Sequence, residues 1–195
     1  MKKLKYDNMG GKNKLNLGSG RFKKKDFINI DADSSTNPDI LYDLNKIPYP
    51  FSDNSFSLIM ANHVLEHLKD PFKTMKELHR ILKSEGKLII RVPHFSRGFS
   101  HPDHKRGFDV SFPLYFNKNF KGGYTGSSFR LKSMKLKWFA QPYLKKISLS
   151  GFQYNAGLFL GKIFDFFANL SPYFCSRIWC YQVGGFEEIE YIFTK

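Results

Sequence analysis

Apolar and polar positions change their period several times along the chain, and each change marks an element. Leu15-Asn16-Leu17 is a short apolar run ending in Gly18-Ser19-Gly20, and residues 27–30 form a second, ending in Asp31-Ala32-Asp33. Residues 40–44, 55–62 and 88–92 are further runs rich in Ile, Leu, Phe and Val, bounded by Asp, Asn, Gly or Pro. Short apolar runs with such flanks read as buried strands. Between the last two, residues 64–83 carry Leu65, Leu68, Phe72, Met75, Leu78 and Leu82 at helical spacing, and Gly86 follows as a stop signal. Strands alternating with connections, one of them plainly helical, predict an α/β domain with a mostly parallel sheet.

The second half is less regular. Residues 93–127 are rich in Gly, Pro, His and Phe and read as a long functional loop. Residues 129–139 alternate apolar and basic positions with a phase slip near Ser133, the pattern of a basic-faced strand carrying a bulge. An apolar helix is expected over 156–170, ended by Pro172, and a last strand over 188–193. The organisation is a basic lead-in over residues 1–13 followed by a single domain over 14–195, whose halves divide near residue 94.

The 195 residues suffice for one ordinary hydrophobic core, and 42% hydrophobic with 25% charged residues is a globular composition. Charge changes the picture more. Thirty-one Lys and Arg face 17 acids, a net +14 that favours anionic partners. Nine of those cations fall in residues 1–25 beside one acid, Asp7, and eight fall in 118–146 with no acid. No run approaches the ~18 uninterrupted apolar residues of a membrane span, because Lys162 and Asp165 interrupt the most apolar region. The basic N-terminal segment lacks the apolar stretch of a secretory signal. Cys175 and Cys180 make neither a disulfide framework nor a four-ligand zinc site. Buried thiols in the cytoplasm are the expectation.

Candidate chemistry gathers at strand ends. Glycines directly after a strand, at Gly18 and Gly20, let a backbone approach a ligand closely. Asp31, ending the second strand, stands where nucleotide folds hold ribose hydroxyls, and Asp43, ending the third, could accept an exocyclic amine. Ligands of open α/β sheets sit at these carboxyl ends, so the three features converge. Only residues 21–26 separate Gly20 from the second strand, which leaves no room for the helix that holds a pyrophosphate. A ligand without pyrophosphate would not miss it.

LNLGSG, INIDAD, the stretch YDLNKIPYPFSDNSFSLIMANHVLEHLKDP and the later LKSEGKLIIRVPH together resemble the class I S-adenosylmethionine-dependent methyltransferases, in particular a small "type 11"-like branch often encoded among glycan-assembly genes. The resemblance covers residues 14–94 well and extends weakly through HPDHKRGF and EIEYIFTK. It implies a Rossmann-like fold with a mostly parallel seven-stranded sheet flanked by helices, with residues 14–94 as the cofactor-binding half and 95–195 facing the acceptor. It also implies S-adenosyl-L-methionine as cofactor, held by Asn16, Gly18, Ser19, Gly20, Asp31, Asp43, Leu44, Asn62 and His63. The glycines would pass beneath the methionine part and ribose, Asp43 and Leu44 would meet the adenine, and Asn62 and His63 would line the sulfonium and the substrate entrance. The chain departs from the pattern at Asn16 (usually an acid), Phe22 (commonly glycine) and Ser57 (usually Asp).

The expected reaction is O-methylation of a sugar, glycan intermediate or other small acceptor, which a phosphate or a lipid anchor on the acceptor would suit given the charge. An RNA methyltransferase and a non-catalytic cofactor-binding subunit are the alternatives, and no RNA-binding module supports the first. An alcohol acceptor needs a base, and histidine suits neutral pH. His94 and His104 follow the fifth strand, and His63 follows the fourth, so these are the candidate catalytic residues. In HVLEH, His63, Glu66 and His67 fall on one helical face if the segment is helical. The letters also match a zinc-protease signature, but their place after a strand and the lack of a further acidic ligand downstream set that aside. His63 is a poor ligand for a hard cation, and no metal is expected. Phe152, Leu158, Phe159, Phe164, Phe166, Phe167 and Phe174 read as core covering the sheet, with docking of a lipid-linked substrate or contact with an anionic membrane as the alternative.

Overall fold

The computed structural model describes residues 11–98 and 101–195, so most of the basic lead-in lies outside the described residues. Seven strands share one sheet: β1 (Lys14–Leu17), β2 (Ile28–Asp31), β3 (Ile40–Leu41), β4 (Phe56–Asn62), β5 (Leu82–Pro93), β6 (Arg130–Lys137) and β7 (Glu188–Thr194). Their order is β3-β2-β1-β4-β5-β7-β6. The first five pair in parallel, and β7 runs antiparallel to both β5 and β6. The mostly parallel seven-stranded sheet is thus as expected. Chain direction along the sheet reverses between β1 and β4, the place where open α/β sheets open a crevice at their carboxyl ends. Because β7 enters reversed, Glu188 pairs with Pro93 and its acidic start lies at that same edge.

Leu15, Leu17, Ile28, Ile30, Ile59, Ile90 and Val92 form the sheet's buried interior. The β1–β2 crossover, residues 18–27, contains no helix. Side chains take its place: Asn16 Nδ2 donates to Asn29 Oδ1 (3.0 Å) and to the Phe22 carbonyl (3.1 Å), while Lys24 N–H donates to Asn29 Oδ1 (2.8 Å). The phase slip near Ser133 is a bulge in β6, whose register with β7 shifts between Leu131 and Ser133.

Helix α1 spans Pro71–Ile81, and the expected start at residue 64 is corrected. Asp70 caps it by accepting Lys73 N–H at 3.0 Å, and Pro71 occupies the first turn, where a missing N–H is harmless. A proline seven positions into a helix would break it, so residues 63–70 are turns instead. Their first residue, His63, has φ +52°. Strand β5 begins directly after α1; its ladder with β4 skips from Leu82 to Lys87, with Glu85 at φ +57° in the protrusion.

Three helices follow β6: α2 (Pro142–Ser148), α3 (Gly151–Leu170) and α4 (Pro172–Arg177). A Cβ at Gly157 or Gly161 would lie 2.6 or 2.8 Å from the Phe139 side chain, so glycine lets α3 seat closely there, beside a Trp138–Phe164 ring contact of 4.8 Å. The rest of α3 corrects the reading as core. Phe152 is 84% exposed and Phe166 64%, and Phe159, Phe167 and Leu170 are likewise more than half exposed. No helix among the described residues is long and apolar enough to cross a membrane. Cys175 and Cys180 are free and buried.

Candidate functional site

The turn after β1 is built for close approach. Gly18 has φ +60°, and a Cβ there would lie 2.4 Å from Val64 Cγ2. Gly20 has φ +47°, and a Cβ there would enter open space. That space is a cavity of about 370 Å³ lined by both glycines, Asp31, Asp43, Leu44 and His67 among others. Asp31 Oδ2 accepts Gly20 N–H at 2.7 Å and Oδ1 accepts Asp33 N–H at 2.9 Å, which fixes the carboxylate while each oxygen keeps a further lone pair. Asp43 accepts the backbone and side-chain N–H groups of Asn45, and the first of these holds its carboxyl below the ordinary range.

Asn16 and Ser19 are not among the residues lining this cavity. Both are buried; Asn16 braces the β1–β2 crossover, and Ser19 N–H donates to the Ile30 carbonyl. Asn62 is not among the lining residues either. It lines a different cavity of about 470 Å³ with Phe22, Arg91, Tyr143 and Glu188.

A third cavity, of about 390 Å³, is bounded by Arg97, His101, His104, Leu144 and Lys145, with His63 and His67 as a wall common to it and the glycine-lined cavity. Arg97 and Lys145 both pair with Glu187, at 2.9 and 2.5 Å, which sets two cations along the edge of this cavity.

His63 is committed on both ring nitrogens: Nδ1 lies 3.2 Å from Glu66 Oε1 and Nε2 lies 2.7 Å from Glu188 Oε2. Burial pushes its pKa down, but the hydrogen bond to Glu188, the close contact with Glu66 and the charges of both outweigh burial and raise it to about 9. Held as an imidazolium between carboxylates, His63 is not a base at neutral pH, which corrects that part of the expectation. His94 is corrected for the opposite reason. It is fully buried, bonded to Ser96 Oγ (2.7 Å) and Ser176 Oγ (2.8 Å), and lines no cavity described above. Burial, against a small upward pull from Asp109, lowers it to about 4. His104 alone of the three reaches the Arg97-lined cavity with an uncommitted nitrogen: Nδ1–H donates to the Gly98 carbonyl at 2.6 Å, which leaves a lone pair on Nε2.

Sequence reasoning missed Gln141, Glu187 and Glu188. Gln141, at φ +47°, places its Nε2 2.6 Å from His63 Nε2 and lines both outer cavities. The signal for the glutamates was present, since adjacent acids open the last strand of a strongly basic chain.

The family model described as "Methyltransferase domain" matches residues 25–90. An uncharacterized protein of Methanocaldococcus jannaschii is 46% identical over 48 residues, which is 25% of this chain and 21% of that protein. The chain spans less than half the length of the curated relatives it matches. Among solved structures, a SAM-dependent methyltransferase from Archaeoglobus fulgidus superposes with a TM-score of 0.56 at 16% identity, covering 93% of this chain and 85% of that one. Phosphoethanolamine N-methyltransferase 2 of Haemonchus contortus, solved with phosphomonomethylethanolamine and S-adenosylhomocysteine, gives a TM-score of 0.52 at 14% identity, covering 93% and 48%. Residues 25–90 thus carry the methyltransferase-domain pattern on a sheet with the fold of the class I S-adenosylmethionine-dependent methyltransferases.

Proposed function

We propose that this chain binds S-adenosylmethionine in the glycine-lined cavity and transfers its methyl group to an oxygen of a sugar, glycan intermediate or similar small acceptor held in the histidine-lined cavity. One observation carries the reading: two cavities of ligand size at the carboxyl ends of the parallel strands share the wall formed by His63 and His67. A donor and an acceptor placed on either side of such a wall need only a narrow opening for in-line transfer.

The residues fit the donor. Gly20 leaves open space where a side chain would stand, Asp31 keeps lone pairs for two ribose hydroxyls, and Leu44 and Asp43 offer an apolar face and an acceptor to an adenine. When bound, S-adenosylmethionine supplies an electrophilic methyl on a positively charged sulfur. The protein's part is to orient the acceptor oxygen, exclude water and receive the hydroxyl proton. His104 Nε2, facing the cavity with a lone pair, is placed to receive it. The cations Arg97 and Lys145 at the edge of that cavity suit an acceptor bearing phosphate or an acid group. A lipid-linked acceptor presented at the inner, anionic face of a membrane accords with the exposed apolar face of α3.

Calorimetry with S-adenosylmethionine and S-adenosylhomocysteine on wild type and Asp31→Ala tests the donor site. Micromolar binding that the substitution weakens about tenfold, ~1.4 kcal/mol, is expected, followed by methyl transfer to a member of a sugar and phospho-sugar panel. No binding by folded wild-type protein would overturn the reading.

A further inference from the structure

We propose that Glu66, His67 and His104 form a binding site for a divalent transition-metal cation in the wall between the two cavities. The site deepens the reading above, since its open side faces the cavity assigned there to the acceptor.

The three side chains bring one carboxylate oxygen and two imidazole nitrogens within 4.8 Å of one another. Glu66 is fully buried, and neither of its carboxylate oxygens has a hydrogen-bond partner. A buried carboxylate in that state is costly unless a cation answers it. His63 answers it only in part: its Nδ1 is 3.2 Å from Oε1 without hydrogen-bond geometry, and the same ring serves Glu188.

His104 supplies the second, independent argument. Its Nδ1–H donates to the Gly98 carbonyl, so in the neutral ring Nε2 is a bare acceptor. That acceptor lies 4.0 Å from Glu66 Oε1, also an acceptor. Two lone-pair-bearing atoms facing each other at this distance repel unless something positive sits between them. A cation with metal–ligand bonds of about 2.1 Å holds two ligand atoms roughly 3.4 Å apart in tetrahedral geometry, so His104 and Glu66 must close by about 0.6 Å, and no pair in the set by more than about 1.4 Å. Anchoring one imidazole nitrogen on a backbone carbonyl is also how metal-binding histidines are oriented. His101 stacks on His104 with centroids 4.8 Å apart and supports the ring from behind.

The donor set selects the cation class. Two imidazoles and one carboxylate suit zinc, cobalt, manganese or iron(II) better than magnesium, which prefers oxygen ligands and retained water. His67 lines both cavities and His104 the acceptor side, so three protein ligands leave a coordination position open to the acceptor. An acceptor hydroxyl there would lose its proton to solvent water more readily, so that with Nε2 on the cation His104 no longer needs to receive it. The expectation of no metal rests on His63, a poor ligand for a hard cation; the set proposed here leaves His63 out and takes its third ligand, His104, from the following loop.

The test uses untagged, chelator-treated full chain titrated with Zn²⁺, Co²⁺, Mn²⁺ and Mg²⁺ by calorimetry, with visible absorption of the Co²⁺ form. One equivalent of Zn²⁺ and Co²⁺ should bind at micromolar affinity or better, Mg²⁺ at least a hundredfold more weakly, and Co²⁺ should show ligand-field bands. Glu66→Gln and His104→Gln should each weaken Zn²⁺ binding tenfold or more, whereas His101→Ala should change it less than threefold. Circular dichroism identifies a variant that fails to fold, and His67→Gln then replaces it. No stoichiometric binding by wild type, or binding that all ligand variants retain, would overturn the site. S-adenosylhomocysteine titrated into the same metal-free and loaded samples separates the two readings: its binding without metal binding removes only the cation site, and the reverse removes only the methyltransferase reading.

Discussion

Gly18 and Gly20 occupy the same turn and both have positive φ, yet they answer different demands. At Gly18 the demand is steric and internal, because a Cβ would strike Val64 at 2.4 Å; at Gly20 it is external, because the space belongs to the cavity. Gly18→Ala is therefore expected to cost about 2–3 kcal/mol of unfolding free energy, left-handed strain plus overpacking. Gly20→Ala should cost only about 1 kcal/mol of stability but weaken S-adenosylhomocysteine binding tenfold or more. Thermal unfolding and calorimetry on the two variants check this; equal effects on both readouts would contradict the distinction. His94 gives a second residue-scale prediction. Its folded-state pKa, about 4, lies below the ordinary 6.5, so the unfolded chain takes up the proton first. The stability it contributes is complete above pH 6.5 and is lost as pH falls toward 4, about 3 kcal/mol in all and about 2 by pH 5. Urea unfolding of wild type and His94→Gln between pH 7.5 and 5 should show the steeper decline in wild type, and parallel curves would count against it.

At the scale of elements, legibility followed how local the physics was. Strands β1, β2, β4, β5 and β7 were legible because each is a run of buried Leu, Ile, Val or Phe whose flanks stop it. The bulge in β6 was legible as well, because one extra residue must invert the apolar phase at Ser133. The start of α1 was not, although Asp70-Pro71 is a strong start signal: the apolar spacing of Leu65 and Leu68 mimics a helix face, and periodicity overrode the proline. The site depends on this, because His63, Glu66 and His67 are directed by a turn with His63 at φ +52° and not by one face of a helix. Site residues supplied by a single strand end, such as Asp31, were readable from position alone. Those supplied by convergence were not: Gln141 precedes α2, Glu187 stands just before β7 and Glu188 opens it, and His104 was legible only as a histidine of the loop after β5, without its neighbours. Nothing local in the chain says that these four meet, because only the antiparallel entry of β7 and the return of the loop along β5 bring them to one edge.

On the scale of the whole molecule, the unresolved physical question is the apolar face of α3. Phe152, Phe159, Phe166, Phe167 and Leu170 expose aromatic and aliphatic surface that contributes nothing to the core, and monomeric proteins rarely leave such a face open. Helices α2–α4 carry Lys145, Lys146, Lys162 and Arg177 and one acid, Asp165; Lys145 pairs with Glu187, Arg177 with Asp109 at 2.7 Å and Asp165 with Lys137 at 2.9 Å, which leaves the charge of this face to Lys146 and Lys162. Apolar insertion combined with positive charge is the signature of a face that rests on an anionic bilayer, and α2 also borders the acceptor-side cavity through Leu144 and Lys145. The protein is therefore expected to sediment with vesicles containing phosphatidylglycerol at low ionic strength, to bind neutral phosphatidylcholine vesicles at least tenfold more weakly, and to be released by about 0.5 M salt as screening removes the charge contribution. Replacing Phe152, Phe159 and Phe166 together by Ser should abolish sedimentation while leaving S-adenosylhomocysteine affinity within twofold, since none of the three lines a cavity. Sedimentation velocity distinguishes the competing occupant: a dimer that the triple variant converts to monomer, with no vesicle binding by wild type, would assign the face to a second copy of the chain and remove the membrane from the account. Because apolar burial between copies is insensitive to lipid charge whereas bilayer docking is not, the salt and lipid dependence decides between them.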